Sequence, residues 1–368
     1  MPPLTLMIKP MSGACNMRCA YCFYTDVMSR RETAVRPPMS GEALETLVRR
    51  AFAYADDSVS FAFQGGEPTL IGLPFFEALM DFEHRYNTRG LTVSNAVQTN
   101  GYALSDEMIA FFARENFLLG VSLDGTAALH DALRVDRAGE GTFARVEANI
   151  RRLQAAGVDF NILCVVNDAV ARHPREVFHA LEKYRYLQFI ACLDDFSGGQ
   201  KAFSLTPEHY LFFLNETFDL YAQAALSGKT VSVRAFDNYV GMLLGLPPEN
   251  CAMGGQCGQY FLIESDGGAY PCDFYVLDEW RLGSALETPF NRLARSPLGA
   301  RFREVSLVVP EKCRACRWYP LCRNGCRRER DEKTGLNRWC GVYQAFFARN
   351  YEEMQALTRI PGVFGGMG

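Results

Sequence analysis

Cys15-Asn16-Met17-Arg18-Cys19-Ala20-Tyr21-Cys22 is a C-x3-C-x2-C run that directly follows a short apolar strand candidate, Leu4 to Ile8. Three thiolates on one loop can hold three corners of a cubane iron–sulfur cluster. Such clusters normally take four cysteines, so this loop leaves one iron open. An open iron can bind and activate a small molecule, whereas a fully ligated one mainly passes electrons. Zinc is the competing reading. Structural zinc sites take four ligands, often a C-x2-4-C pair with a second pair or histidines. This loop offers three cysteines and no nearby His.

Outward from this loop, the chain to about residue 230 alternates short β-rich runs with longer helical patterns. Strand candidates are Leu4–Ile8, Val59–Phe63, Thr92–Val97, Leu118–Leu123, Phe160–Val166 and Leu187–Ala191. Helix candidates between them include Gly41–Ala55, Pro74–Tyr86, Asp106–Glu115, Thr142–Ala156 and Arg175–Tyr184. Ser40 and Ser105 are candidate N-caps, with Glu42, Asp106 and Glu107 at the positive helix ends. Such βα repeats predict a parallel sheet curled toward a barrel, with its chemistry at the C-terminal strand ends. The polar segments fall there: Gln64-Gly65-Gly66-Glu67-Pro68-Thr69, Gln98-Thr99-Asn100-Gly101 and Ser122-Leu123-Asp124-Gly125. Two glycines allow a close backbone approach, although Gly-Gly-Glu-Pro, Asn-Gly and Asp-Gly alone also read as turns. Arg134 offers a guanidinium fork suited to a carboxylate, with a solvated helix-side charge as the plainer reading. Cys164 and Cys192 read as core thiols, and the five histidines show no metal spacing.

The last third is a second cysteine-rich region. Cys251, Cys257, Cys272, Cys313, Cys316, Cys322, Cys326 and Cys340 are eight of the thirteen cysteines, enough for two fully ligated four-iron clusters. A zinc ribbon is the alternative for C-x2-C followed by two more cysteines. The arginines around them, Arg314, Arg317, Arg323, Arg327, Arg328 and Arg330, read as charge balance around anionic clusters, with an electron-donor docking face as the second reading. Asp273 directly follows Cys272, so it lies near whatever that cysteine binds.

Composition limits the class of protein. The 368 residues suggest one large domain plus a smaller one. A net charge of −4 and a pI near 5.8 argue against a nucleic-acid partner. No stretch approaches the ~20 apolar residues of a membrane span, and the N-terminus lacks a signal-peptide pattern. A cytoplasmic protein is expected, in which cysteines serve metal or redox sites over disulfides.

The C-x3-C run with an aromatic before its last Cys resembles the signature of the radical S-adenosylmethionine enzymes. Cys313-x2-Cys316-x5-Cys322-x3-Cys326, with Cys340 downstream, is similar to the SPASM domain of relatives that modify peptides and proteins. The similarity to the anaerobic sulfatase-maturating enzymes extends over nearly the whole chain. It includes Ile8-Lys9-Pro10, Cys22-Phe23-Tyr24, Phe61 to Thr69, Phe160 to Val166 and Asp273-Phe274-Tyr275-Val276-Leu277-Asp278. The resemblance implies an α/β fold: a partial (β/α)6 barrel of radical SAM type over residues 1–235, then a SPASM domain over 236–368.

It also implies S-adenosylmethionine and three [4Fe-4S] clusters. The first would sit on Cys15, Cys19 and Cys22. One auxiliary cluster would take Cys251, Cys257, Cys272 and Cys326, and the other Cys313, Cys316, Cys322 and Cys340. Gln64, Gly65, Gly66, Glu67, Ser122, Asp124 and Arg134 would contact the cofactor, Tyr24 and Gln64 the peptide. A 5′-deoxyadenosyl radical would take a Cβ hydrogen from a Cys or Ser in a Cys/Ser-x-Pro/Ala-x-Arg motif of a sulfatase. Asp273 would remove the thiol or hydroxyl proton, an auxiliary cluster would accept an electron, and the product would be Cα-formylglycine. A flavodoxin- or ferredoxin-type protein would supply electrons. Enzymes that cross-link ribosomal peptides are the alternative; they commonly carry an extra N-terminal domain, for which residues 1–14 leave no room. A plain electron carrier would need neither the Gly65-Gly66-Glu67 segment nor a vacant iron.

Overall fold

The computed structural model describes residues 3–360. The chain forms two compact units. The first comprises residues up to Ser122 together with Arg134–Phe160 and Gly258–Glu304; the second comprises Leu123–Leu133, Asn161–Cys257 and the stretch from Val305 onward.

In the first unit the strands are β1 (Leu4–Lys9), β2 (Ser58–Phe63), β3 (Thr92–Thr99) and β4 (Leu118–Ser122). They pair in parallel, with Leu4 opposite Val59 and Val59 opposite Val93. The second unit carries almost all of β5 (Phe160–Val166), β6 (Tyr186–Ala191) and the short β7 (Ser232–Val233), again parallel. The chain then returns to the first unit as β8 (Phe261–Glu264), which pairs in parallel with the free side of β1, Leu6 opposite Phe261. Antiparallel β9 (Gly268–Tyr270) and β10 (Gly283–Ser284) follow it. The order in the first unit is therefore β10-β9-β8-β1-β2-β3-β4. β1 has a neighbour on each side, which is why its alternate residues Leu4, Leu6 and Ile8 are all buried.

Helices connect the strands as the periodicity predicts. Gly41–Tyr54 buries Ala43, Leu44, Leu47, Val48 and Ala51, one stripe at helical spacing, and the Ser40 hydroxyl accepts from Ala43 N at 3.2 Å. Ser105 caps Asp106–Arg114 in the same way, accepting from Met108 N. Behind the sheet, Phe63, Phe76, Phe112 and Phe117 meet edge-to-face or tilted at 5.1 to 6.0 Å. The second unit packs Pro207–Leu226 against Cys340–Leu357, with Phe218, Phe236 and Phe346 interlocked. Among the described residues no helix is long and apolar enough to cross a membrane.

One polar pair interrupts the core of the first unit. Glu83, on Leu73–Tyr86, accepts from Asn95 Nδ2 at 3.2 Å, while Glu83 Oε1 and Asn95 Oδ1 have no partner among the described residues. Burial pushes the Glu83 carboxyl from 4.5 up to about 7, and Asn95 only partly opposes it. The folded chain therefore holds this proton more tightly than the unfolded chain. Stability from this site is full below pH ~4.5 and falls by roughly 3 kcal/mol as pH rises to ~7. Glu83→Gln keeps the shape without the charge. Urea unfolding at pH 5 and pH 8 is expected to show a smaller loss in the variant than in the parent; equal losses would contradict the assignment.

Candidate active site

The cysteine loop follows β1 and is clamped by neighbouring strand ends. Gly66 N donates to Ser12 O at 3.0 Å and Glu67 N to Ala14 O at 2.8 Å, so the Gln64–Thr69 segment lies directly on the loop. Gly65 adopts φ +119°, and a Cβ on Gly66 would stand 2.0 Å from Ala14 O. The two glycines thus allow two backbones to touch; no other residue fits at 66. Glu67 is buried, and its oxygens accept from Thr69 N and Oγ1, Thr99 Oγ1 and Asn100 N at 2.7 to 3.1 Å. Its carboxylate ties the end of β2 to the end of β3.

Polar groups surround the thiols. Met17 N donates to Cys15 Sγ at 3.4 Å and Asn100 Nδ2 approaches it at 3.6 Å. Burial pushes the Cys15 thiol up, and these two donors oppose that rise. Arg134 is buried, its Nη1 3.8 Å from Cys19 Sγ and its guanidinium 5.3 Å from the Tyr21 ring centre, so it is not a solvated surface charge. Arg137 donates twice to Cys15 O. Three cysteines on one loop, backed by N–H donors and a guanidinium, suit an anionic iron–sulfur cluster. Ser122 closes β4 in this unit. Asp124 lies in the second unit, fully buried, where its Oδ1 accepts from Val165 N at 2.9 Å.

Asp273 sits in the first unit beyond β9, on a short 3-10 turn after Cys272. It is buried, and Tyr24 Oη donates to its Oδ2 at 2.8 Å. Lys9, the buried last residue of β1, lies 3.8 Å from both Asp273 Oδ1 and Glu264 Oε1, and 4.0 Å from the Tyr24 ring centre. Arg31 Nη1 completes the chain at 2.9 Å from Glu264 Oε1. Asp273 Oδ1 has no hydrogen-bond partner among the described residues. Burial raises the Asp273 carboxyl above its ordinary value, while Lys9 and the Tyr24 hydroxyl pull it back, with Gln64 helping from alongside. The result is a carboxylate with increased proton affinity, a cation beside it that opposes the rise, and one oxygen, Oδ1, that takes no hydrogen bond among the described residues.

In the second unit, Cys313, Cys316, Cys322 and Cys340 line one cavity with Trp318 and Tyr343. Burial pushes the Cys322 thiol up to about 11, and Cys340, Cys313 and Cys316 add to the shift by their proximity. Gln344 Nε2 points at Cys316 Sγ from 3.5 Å. Four convergent thiols match a fully ligated cluster. Cys272 lies in the first unit beside Tyr260 Oη at 3.5 Å, and Cys251, Cys257 and Cys326 in the second. None of the thirteen cysteines is in a disulfide.

Known proteins match this arrangement. A family model described as the Radical SAM superfamily matches residues 10–181, and one for SPASM, an iron-sulfur cluster-binding domain, matches 251–317. A cysteine-type anaerobic sulfatase-maturating enzyme of Clostridium novyi (strain NT) is 42% identical over 367 residues, 98% of each chain. The chain belongs to the anaerobic sulfatase-maturating enzymes. A serine-type member from Bacteroides thetaiotaomicron is 30% identical, over 94% of this chain and 89% of its own. A solved structure, "Native anSMEcpe with bound AdoMet and Cp18Cys peptide", has a TM-score of 0.92 at 39% identity and covers 97% of this chain and 99% of its own. The α/β fold with an open parallel βα sheet and a SPASM domain is thereby that of this sulfatase-maturating enzyme.

Of the residues expected at the site, the first unit gathers Cys15, Cys19, Cys22, Gln64 to Glu67, Arg134, Tyr24 and Asp273. Lys9, Arg31, Glu264 and Asn100 belong with them; the sequence marks the segments that carry Lys9 and Asn100 but gives none of the four a role. For Lys9 a signal existed: a lysine ending an apolar strand directly before the cysteine loop. For Arg31 and Glu264, 233 residues apart, there was none.

Proposed function

We propose that this family member oxidises a cysteine of a sulfatase polypeptide, within a Cys-x-Pro/Ala-x-Arg motif, to Cα-formylglycine. The observation that carries this reading is Asp273, a buried carboxylate whose Oδ2 accepts from Tyr24 and whose Oδ1 faces the Lys9 ammonium at 3.8 Å and takes no hydrogen bond among the described residues. S-adenosylmethionine and an iron–sulfur cluster, when bound, supply a nucleoside radical that removes a hydrogen atom from the target Cβ. Cys15, Cys19 and Cys22 hold that cluster. The Gly65-Gly66 backbone fixes the loop that carries it, and Arg134 offers its guanidinium beside Cys19. Ser122 and Asp124 are assigned to the cofactor on the family's pattern alone. Asp273 takes the substrate thiol proton on Oδ1. Tyr24 orients the carboxylate, Gln64 lines the approach, and Lys9 keeps it charged. Cys313, Cys316, Cys322 and Cys340 hold one auxiliary cluster. Cys251, Cys257, Cys272 and Cys326 are assigned the other on the family's pattern.

Cysteine is the preferred target because identity is 42% to the cysteine-type relative and 30% to the serine-type one. A flavodoxin- or ferredoxin-type protein exchanges electrons with the enzyme, and the reaction belongs in the reducing cytoplasm, where unbridged thiols persist. The test is anaerobic turnover of two peptides that differ only in Cys or Ser at the target, read by mass spectrometry. The Cys peptide is expected to give formylglycine with at least ~10-fold higher kcat/KM, a difference of about 1.4 kcal/mol in transition-state stabilisation. Faster conversion of the Ser peptide would overturn the cysteine assignment, and an unmodified pair would overturn the function.

A further inference from the structure

The arginines near the second set of cysteines fall into two groups. Arg330 donates to Ser306 O and Gly325 O, Arg328 lies 3.8 Å from the Phe196 ring centre, and Arg338 is ion-paired to Asp194. These side chains are occupied within the protein. Arg314 and Arg317 differ: both are exposed, and neither has a carboxylate partner among the described residues. Neither lines the cysteine cavity, where Lys312, Asn324, Asn337 and Gln344 stand among the lining side chains.

Arg317 and the half-buried Arg323 border a groove of about 340 Å³ with a mixed lining, whose apolar side chains include Leu243, Leu246, Pro320 and Leu321. Leu246 is 41% exposed, and Leu244 next to the groove 47%. Trp318 lines both the groove and the cavity holding Cys313, Cys316, Cys322 and Cys340, and the Arg317 guanidinium lies 4.4 Å from its ring centre. One indole is therefore common to the four-thiol cavity and to a groove that carries exposed leucines and two arginines. The protein as a whole is acidic, at net −4, so this basic rim is a local inversion of charge.

We propose that this groove docks an acidic one-electron carrier protein whose flavin edge meets the leucine side chains of the groove beside Trp318. The inference rests on the assignment of a cluster to the four cysteines. Converting a cysteine to the aldehyde oxidation level removes two electrons from the substrate. One leaves with the hydrogen atom taken by the nucleoside radical, and the thiol proton goes to Asp273. The second electron leaves the protein through the cluster, and the oxidised flavin of the carrier gains it. Arg317 and Arg323 at the groove, with exposed Arg314 close by in sequence and leucines between, suit such a partner: charge speeds and orients the encounter, and a small contact lets the carrier leave. A flavin offers a flat apolar edge for the groove, which a carrier with a thiolate-ligated cluster does not.

The test uses the fully loaded enzyme and an oxidised FMN flavodoxin, with anaerobic binding followed by flavin fluorescence polarisation at low and high salt. Arg314→Glu with Arg317→Glu is expected to weaken binding at least ~10-fold at low salt and to flatten the salt dependence. Leu246→Ser is expected to weaken binding while leaving the salt dependence intact. Dithionite-driven formylglycine production and iron content are expected to stay at the parent level in both. Unchanged flavodoxin affinity in both variants overturns the docking site. An acidic iron–sulfur carrier that loses as much affinity to Leu246→Ser as flavodoxin does overturns the flavin edge as the occupant. Iron analysis of Cys316→Ala with Cys322→Ala tests the underlying assignment separately: full iron there overturns the cluster, whatever the binding shows.

Discussion

Replacing Cys15, Cys19 and Cys22 together by alanine is expected to abolish 5′-deoxyadenosine production. The loop that carries them is fixed from two sides, by the Gln64–Thr69 segment and by Arg137 on Cys15 O, so its backbone position does not depend on the thiols. The variant should therefore fold and keep its C-terminal cysteines. A chain with eleven ligating cysteines as assigned carries about twelve irons in three four-iron clusters, and the variant is expected to retain about eight. Cofactor cleavage needs an iron with an open position, which four-thiolate sites do not offer, so the remaining clusters cannot substitute. Iron, sulfide and deoxyadenosine measured in the same samples decide the matter. Undiminished deoxyadenosine from the triple variant would sink the assignment of the first cluster.

Asp273→Asn separates cofactor cleavage from product formation. Asparagine keeps the size and can still accept from Tyr24, but it offers no proton acceptor of comparable basicity at Oδ1. Deoxyadenosine is expected to form with peptide present, while formylglycine falls by at least the ~10²-fold typical of a lost general base. Because Cys272 is adjacent, iron per chain is the control. Full iron with near-normal formylglycine would show that the proton leaves by another route. Joint loss of iron and both products would make Asp273 a structural residue. The neighbouring network sharpens the expectation. With Asn at 273, Lys9 loses one of its two carboxylates and retains Glu264, so the buried ammonium stays paired.

Much of the fold was legible in local pattern. Strand and helix candidates lie within a residue or two of the observed elements, because alternating burial along β1 and the stripe on Gly41–Tyr54 are local properties. The Arg175–Tyr184 candidate resolves into an α-helix, Pro174–Leu181, continued by a 3-10 turn. Other features depend on long-range pairing and carry no local signature. β8 has only four residues, Phe261–Glu264, and its place beside β1 is set by register, not by composition. The same pairing carries Glu264 to Lys9, a contact that nothing local to either residue announces. Gly65 and Gly66 were legible as a close approach, yet the partner is the cysteine loop itself, a fact only packing reveals. Glu67 likewise reads as a carboxylate in a turn, and only packing shows the four donors of the fold that its oxygens accept from.

A radical generated at the cysteine loop is expected to take a hydrogen atom from the Cβ of a target cysteine, with the aldehyde following. A peptide carrying cysteine deuterated at Cβ, turned over anaerobically by the reconstituted enzyme, tests it in one mass-spectrometric measurement of both products. The expected result is formylglycine with a matching amount of 5′-deoxyadenosine that carries one substrate deuterium. Deoxyadenosine without deuterium, alongside an unmodified peptide, would contradict the account.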